Sequence, residues 1–469
     1  MQLNEAPLAD EHVDRLEPPQ GYERAKEVSL DDALKLAIAM HRANGLDDAE
    51  SVYGRILALA PDHAAALHFM GVLQHQRGRS EEALGLIRRS IALNGAVPDW
   101  HNNLGNVLLE SGQVDAAADA YERACALAPD RPDVQNNLGV LRREQRRPAE
   151  AETFYRRAIA LDPTYADAFT NLGRLLNGLG RHEEALAACC EALVVNPKFV
   201  KARHALGMAY QMLGRLDDAA QVYRDWLAED PGHPEALHHL AACTGDAVPD
   251  RAPDAYVETL FDDFANSFDA KLAMLDYRAP SLIAQAVAQR VGEARRALAV
   301  LDAGCGTGLC GPLLAPYARR LEGVDLSERM LAKAQARQVY DALTKAELTA
   351  FLEAAAPGSC DLVVSADTLC YFGDLRCVVL AAAKALRPQG WLIFTVEASA
   401  GPAGAAFQLN PNGRYSHRES YLRAVLAEAG LAVDGLEPVH LRMENLKPVE
   451  GWLVSCRKPA SGEGMSHGR

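Results

Sequence analysis

The segment VLDAGCGTGLCG, Val300–Gly311, sets an apolar run directly before three glycines at alternate positions, Gly304, Gly306 and Gly308. It predicts a buried strand that turns sharply into a helix, at a turn where glycine lets a ligand approach the backbone. Asp302, at the strand end, can hold a positively charged or hydroxyl group. Outward from this segment, short apolar runs at Ala299–Ala303, Leu321–Asp325, Asp361–Ser365 and Trp391–Val396 alternate with helical stretches, which predicts a parallel doubly wound sheet. Gly306, Gly308 and Gly311 formally satisfy G-x-G-x-x-G, so the glycines alone leave a dinucleotide site open. The next strand, in LEGVDLSERML, puts Asp325 17 residues after Gly308, where a carboxylate can chelate two ribose hydroxyls.

The chain has 469 residues, enough for two or three domains at about 150 residues each. Its 48 basic against 63 acidic residues leave a net charge of −15, the wrong sign for a protein that mainly binds nucleic acid or an anionic membrane. The opening residues, MQLNEAPLADEHVDRLEPP, carry acids and prolines where a signal peptide needs a basic start and an apolar run. The expectation is a cytoplasmic protein. The ten cysteines include no C-x-x-C pair or Cys/His cluster, so they signal neither a disulfide framework nor a metal site.

Before the glycine segment, a small residue recurs every 34 positions, at Ala37, Gly71, Gly105, Gly139, Gly173, Gly207 and Ala241. Twelve residues on, the column is alanine throughout: Ala49, Ala83, Ala117, Ala151, Ala185 and Ala219. Small side chains in both columns let two antiparallel helices cross closely. Pro61, Pro129, Pro163, Pro197 and Pro231 mark where second helices end, in a column that Gly95 interrupts. Gly78, Gly112, Gly180 and Gly214 supply the turn between paired helices, with Asn44 and Arg146 in the equivalent places. These columns resemble the tetratricopeptide repeat (TPR), in six units from about Leu30 to His233 with a closing helix near 234–243. The resemblance implies an all-α superhelix whose concave groove, lined by the first helix of each pair, binds a protein or peptide. Asn103, Asn137 and Asn171 repeat in register there, with Asp99, Asp133 and Asp167 four residues before each. They read either as a ladder for the main chain of an extended peptide, like the groove of TPR-bearing O-GlcNAc transferases, or as common TPR residues beside helix termini.

The stretch TGDAVPDRAPDA, residues 244–255, breaks the period and predicts a linker. Beyond it, VLDAGCGTGLCG, Asp325 in the second strand, Glu347 in KAELTAFL, DLVVSADTLCYFGDL and ALRPQGWLIFTVE together resemble the class I S-adenosylmethionine (SAM) methyltransferases over roughly 250–457. More narrowly, LFDDFANSFDAKL, GRYSHRESYLRAVLAEAGL and NLKPVEGWLVSCRK look like bacterial TPR–methyltransferase fusions related to the Williams-Beuren region methyltransferases. Relatives usually carry aspartate where Glu347 stands. The resemblance implies a Rossmann-like, seven-stranded α/β sheet, closed by a hairpin around Leu431–Pro438 and Trp452–Cys456. The expected domains are an extension over 1–29, the TPR array over 30–243, the linker, the methyltransferase domain over 256–457 and a tail over 458–469.

By that resemblance Asp302, Gly304, Gly306 and Gly308 grip the methionine part of SAM, Asp325 the ribose, and Glu347 and Leu348 the adenine, with Leu326 a further cofactor contact. Asp367, beyond the fourth strand, lies near the reactive methyl. Asp367, His417 and Tyr371 are the candidate catalytic residues; Arg414 and Tyr415, with Asn103, Asn137 and Asn171 in the array, are candidates for substrate contact. Phe261, Phe264 and Phe268 read first as core and second as a lid. No metal is expected. Three functions stay open: a SAM-dependent methyltransferase whose array recruits a protein or peptide, a small-molecule methyltransferase whose array serves assembly, and a TPR scaffold with a SAM-sensing domain.

Overall fold

The computed structural model describes residues 15–16, 28–265, 268–399, 405–444 and 447–460. Most of the expected N-terminal extension, and the expected tail beyond 460, lie outside the described residues. A two-residue pair, β1 (Arg15–Leu16) and β2 (Val28–Ser29), precedes the helices. These follow as α1 (Leu30–Arg42), α2 (Leu46–Leu59), α3 (Ala64–Gln76), α4 (Ser80–Leu93), α5 (Pro98–Glu110), α6 (Val114–Leu127), α7 (Pro132–Glu144), α8 (Pro148–Leu161), α9 (Ala166–Gly178), α10 (His182–Val195), α11 (Val200–Met212), α12 (Leu216–Glu229) and α13 (Pro234–Thr244).

The repeat columns act locally as their chemistry requires. The alanines at 49, 83, 117, 151, 185 and 219 are fully buried, and each proline of the third column lies two residues past a helix end. Gly78, Gly112, Gly180 and Gly214 all have positive φ, and so do Asn44 and Arg146 in the matching turns; the turn needs a left-handed residue whatever side chain fills it. The small-residue column seats an aromatic from the partner helix. A Cβ on Gly105 would lie 2.5 Å from the Tyr121 ring, and one on Gly139 equally close to Tyr155.

The described chain divides into two compact units, one running to Leu176 and including Ala187–Ala202, the other comprising Asn177–Leu186 and everything from Arg203. The division therefore falls within the repeats and not at the expected linker. Pro249–Asp254 is tied to the C-terminal sheet: Arg251 bridges Phe372, the Asp250 carbonyl accepts from Gly373 and Asp374, and the Tyr415 hydroxyl donates to the Pro249 carbonyl. Helix α13 is held there too, since His238 Nε2 pairs with the Gly413 carbonyl at 2.8 Å. Prolines and aspartates read as a linker because they break periodicity, yet they also suit a strap whose backbone bonds go to another element.

After α14 (Asp254–Phe264), α15 (Phe268–Met274) and α16 (Ala279–Val291) comes the sheet: β3 (Leu298–Ala303), α17 (Gly311–Leu314), β4 (Ala318–Asp325), α18 (Glu328–Ala336), β5 (Ala342–Lys345), α19 (Leu348–Ala354), β6 (Cys360–Ser365), α20 (Arg376–Ala385), β7 (Leu386–Ala398), β8 (Phe407–Leu409), β9 (Tyr415–His417), α21 (Glu419–Glu428), β10 (Ala432–Glu444) and β11 (Lys447–Arg457). The strand order is β10-β11-β7-β6-β3-β4-β5, parallel from β5 to β7 and antiparallel at β11 and β10. Those seven strands are the expected sheet; β8 and β9 add two more, β9 pairing with the end of β7. Side chains alternate between two cores, Val300, Leu362, Val364 and Ile393 packing with α16 and Leu301, Val363, Leu392 and Phe394 with α20 and α21. The chain reverses direction across the sheet between β3 and β6, so their carboxyl ends leave a crevice. Among the described residues no helix is long and apolar enough to cross a membrane.

The close approach at Gly139 is testable against an open glycine. Gly139→Ala is expected to lower the thermal midpoint, because overpacking by about 1–3 kcal/mol outweighs the gain in helix propensity of roughly 1 kcal/mol. Gly85→Ala in α4, where an added Cβ meets nothing within 4 Å, is expected to raise it. Equal shifts of one sign in thermal denaturation would disprove the packing argument.

Candidate functional site

A cavity of about 160 Å³ opens at the carboxyl ends of β3, β4 and β6. Asp302, Gly304, Gly306, Asp325, Leu326, Glu347, Leu348, Asp367, Tyr371 and Arg414 all line it. The glycine turn is shaped by necessity. Gly304 has φ +75°, and a Cβ there would fall 2.2 Å from Thr368 Oγ1, which donates to the Gly304 carbonyl. Gly308 and Gly311 leave room for the Tyr340 ring, 2.8–2.9 Å from where their Cβ atoms would stand, and the Tyr340 hydroxyl donates to Asp302 Oδ2 at 2.6 Å. The G-x-G-x-x-G spacing is thus accounted for in part by a tyrosine that no sequence signal marked.

Asp325, at the end of β4, accepts from the Gly306 amide through Oδ2 and from the Ser327 amide through Oδ1, both at 2.9 Å. Burial raises its carboxyl above the usual range while the amide donors pull it back. The Leu326 amide also donates to this carboxylate, which as an acceptor of about four bonds keeps capacity for a further hydroxyl. Asp302 is 1% exposed, and burial pushes it up to about 7, against the Tyr340 hydrogen bond. Glu347 caps α19, accepting from the Thr349 and Ala350 amides at 2.9 and 2.8 Å. Phe261 and Phe268 meet edge to face at 5.9 Å and line the cavity, Phe261 also touching Tyr371. Phe264 is not among the lining residues.

At the other end of the cavity lies a buried charge network. Arg442 Nη1 donates to both oxygens of Asp367, at 3.0 and 2.8 Å, while its other nitrogens hold Glu397 and, at 2.7 Å, Glu444. Arg414 pairs with Glu444 and stands 3.5 Å from Glu397. Burial opposes the Arg442 charge, but the three carboxylates outweigh it. Burial also raises Asp367, with Arg442 and Arg414 opposing, whereas both arginines overcome burial at Glu444 and hold it down at about 2. Asp367 has φ +57°, rare without glycine. Sequence reasoning missed Arg442 and Glu444, which along the edge strand β10 look like ordinary exposed charges, and Glu397, which looks like a solvated acid at the end of β7.

Gly308 is not among the lining residues, and two further candidates lie elsewhere. His417 is fully buried, bonds the Gly373 carbonyl through Nε2 at 3.0 Å and stacks on Tyr421; burial lowers it to about 4. Tyr415 spends its hydroxyl on Pro249. Neither lines the cavity: His417 packs on Tyr421 of α21, and Tyr415 on Phe407 of β8 and His238 of α13.

In the repeats the asparagine amides bond to one another. Asn137 Nδ2 donates to Asn102 and Asn106, Asn171 Nδ2 to Asn136, and Asn103 Nδ2 to His68, all at 2.9–3.1 Å. Asp99 and Asp133 share Arg131. The ladder exists, with its donors directed between repeats.

A methyltransferase domain family model matches residues 301–394, and a tetratricopeptide repeat model matches 34–100, 102–166, 136–195 and 170–234. The ubiquinone biosynthesis O-methyltransferase of Ralstonia nicotianae is 30% identical over 181 residues, 34% of this chain and 76% of that protein. The human methyltransferase-like protein 27 is 31% identical over 163 residues, covering 34% of this chain and 64% of its own length. Among solved structures, a Burkholderia thailandensis 1,6-didemethyltoxoflavin N1-methyltransferase with bound S-adenosylhomocysteine aligns with TM-score 0.36 and 22% identity over 45% of this chain and 92% of that one. Pseudomonas aeruginosa PilF aligns with TM-score 0.40 and 18% identity over 45% and 96%.

The donor set fits SAM: carboxylates for an amino group and for ribose hydroxyls, around a turn stripped of side chains. Asp325→Ala is expected to weaken SAM binding ten- to hundredfold by calorimetry, corresponding to roughly 1.5–3 kcal/mol for bonds to a charged group. Unchanged affinity in the folded variant would show that Asp325 holds no ribose. Asp302 must lose its proton to meet a cationic amino group, so the competent fraction rises as pH passes about 7. SAM affinity is expected to tighten about tenfold between pH 6 and pH 8 and to lose that dependence in Asp302→Asn. An identical pH profile in the variant would count against this assignment.

Proposed function

The chain belongs to the SAM-dependent methyltransferase family, in a form that carries tetratricopeptide repeats, and from that premise we propose that it methylates an acceptor seated at the Asp367–Arg442 end of the cavity, with the repeat array docking a protein or peptide. The observation that carries the methyl transfer is the glycine turn closed on Asp302 and Asp325 at the switch point of the sheet. When bound, SAM supplies a methyl group on a cationic sulfur.

The residues of the chain do the rest. Asp302 and the backbone of Gly304–Gly308 hold the methionine part, Asp325 with Leu326 the ribose, and Glu347 with Leu348 the adenine edge, through the lone pairs its capping bonds leave. In-line displacement depends on alignment of the reacting atoms, and Asp367 is fixed for that by the Arg442 fork and by its own amide, which donates to Thr395 Oγ1 at 2.9 Å. An acceptor that carries a proton can give it to Asp367, whose burial favours the protonated form. Tyr371 and Arg414 form the wall beside it.

A second reading, a small-molecule acceptor with the array used for assembly, is favoured by the asparagine amides being engaged with each other. Tritiated-methyl transfer from SAM into a cell lysate separates the two. Label in macromolecules is the expected result; label only in the small-molecule fraction would support the second reading. No label in either fraction, from protein that binds SAM, would leave a SAM-sensing scaffold.

A further inference from the structure

Outside the cavity, three potential ligands converge on facing helices of the second compact unit. His204 lies on α11, and Glu235 and His239 lie four residues apart on α13, hence on one face of that helix. One donor atom from each falls within 4.8 Å of the others. His204 Nδ1 already contacts Glu235 Oε1, and the two imidazole rings meet edge to face at 5.6 Å. We propose that His204, Glu235 and His239 form a binding site for a divalent transition metal of the Zn²⁺ type, bracing α11 against α13.

The chemistry of the donor set selects the ion. Two imidazoles and one carboxylate suit Zn²⁺, Co²⁺ or Ni²⁺, whereas Ca²⁺ and Mg²⁺ take oxygen ligands. Ligands at about 2.0–2.1 Å from a tetrahedral ion stand roughly 3.4 Å apart, so small side-chain rotations close the set. His204 Nδ1 meets the Glu235 carboxylate, and His239 Nδ1 makes no well-formed side-chain hydrogen bond among the described residues. The Pro411 carbonyl interacts with the His239 ring and is available to accept from the nitrogen a metal leaves protonated, the outer contact that orients metal-binding histidines. His239 is 1% exposed, stacked on Tyr223 at 5.4 Å, with the Tyr256 hydroxyl 3.4 Å from its Nε2. Such packing holds one ligand still, and the half-buried Glu235 and His204 leave a path for the ion.

The site also has a route to the cavity. The residue before His239 is His238, which holds the Gly413 carbonyl; a Cβ on Gly413 would lie 3.1 Å from the His239 ring, and the next residue is Arg414 of the charge network. An ion that fixes α13 therefore fixes the backbone that carries Arg414.

The test uses the full-length protein with Co²⁺ and Zn²⁺ as probes. One equivalent of Co²⁺ is expected to bind with the visible absorption of a tetrahedral site and to be displaced by Zn²⁺. His204→Gln and His239→Gln are each expected to weaken binding at least tenfold and to abolish that band, with the fold checked by circular dichroism. Should His239→Gln fail to fold, His204→Gln, at the more accessible ligand, decides alone. Wild-type affinity and spectrum in a folded His204→Gln protein, or no uptake of Zn²⁺ by the wild type at micromolar concentration, would overturn the proposal.

Discussion

The carboxylate of Asp325 ties together the parts that make a pocket possible. By accepting from the Gly306 amide it fixes the turn after β3, and by accepting from the Ser327 amide it fixes the start of the helix after β4. Ser327 extends the tie by capping α18 and donating to Asp262 in α14 at 2.5 Å. One buried acid thus sets the distance between two parallel strands at their carboxyl ends and anchors the helix that walls the cavity. The cost of burying it appears as a carboxyl held above its ordinary range, which the backbone amides that donate to it partly offset.

The opposite end of the cavity rests on a different balance. Three carboxylates and two guanidiniums are packed together, so no member can be removed without stranding a partner in a dry environment. Arg442 is the hub, touching Asp367, Glu397 and Glu444 at once. An acid held in this way sits in one place, which suits the alignment that methyl transfer demands.

The repeats follow another logic, in which close helix crossings are bought with small residues and aromatic rings fill the space those residues leave. The amides that looked available for a peptide instead stitch neighbouring repeats. A polar ladder of this kind satisfies its own donors inside an array of stacked helices.

Much of this was legible in the chain itself. Where structure depends on backbone conformation or a short period, sequence is enough: the turns at Gly78, Gly112, Asn44 and Arg146, the buried alanine column, the β3 turn and the acid after β4 are all local statements. Side chains that meet across long separations are different. Arg442 finds Asp367 75 residues away, His204 faces Glu235 from another helix, and Tyr340 reaches Asp302 through gaps left by two glycines. Those pairings depend on strand register and helix docking, and the same charges in the same order would sit in solvent if β10 were shifted by one residue. His417 shows the converse, an attractive catalytic residue by type and place in the chain that register turned into the core. Sequence periodicity determined which elements form; only their packing decided which polar side chains share a cavity, because burial and pairing belong to the assembled layers and not to any one segment.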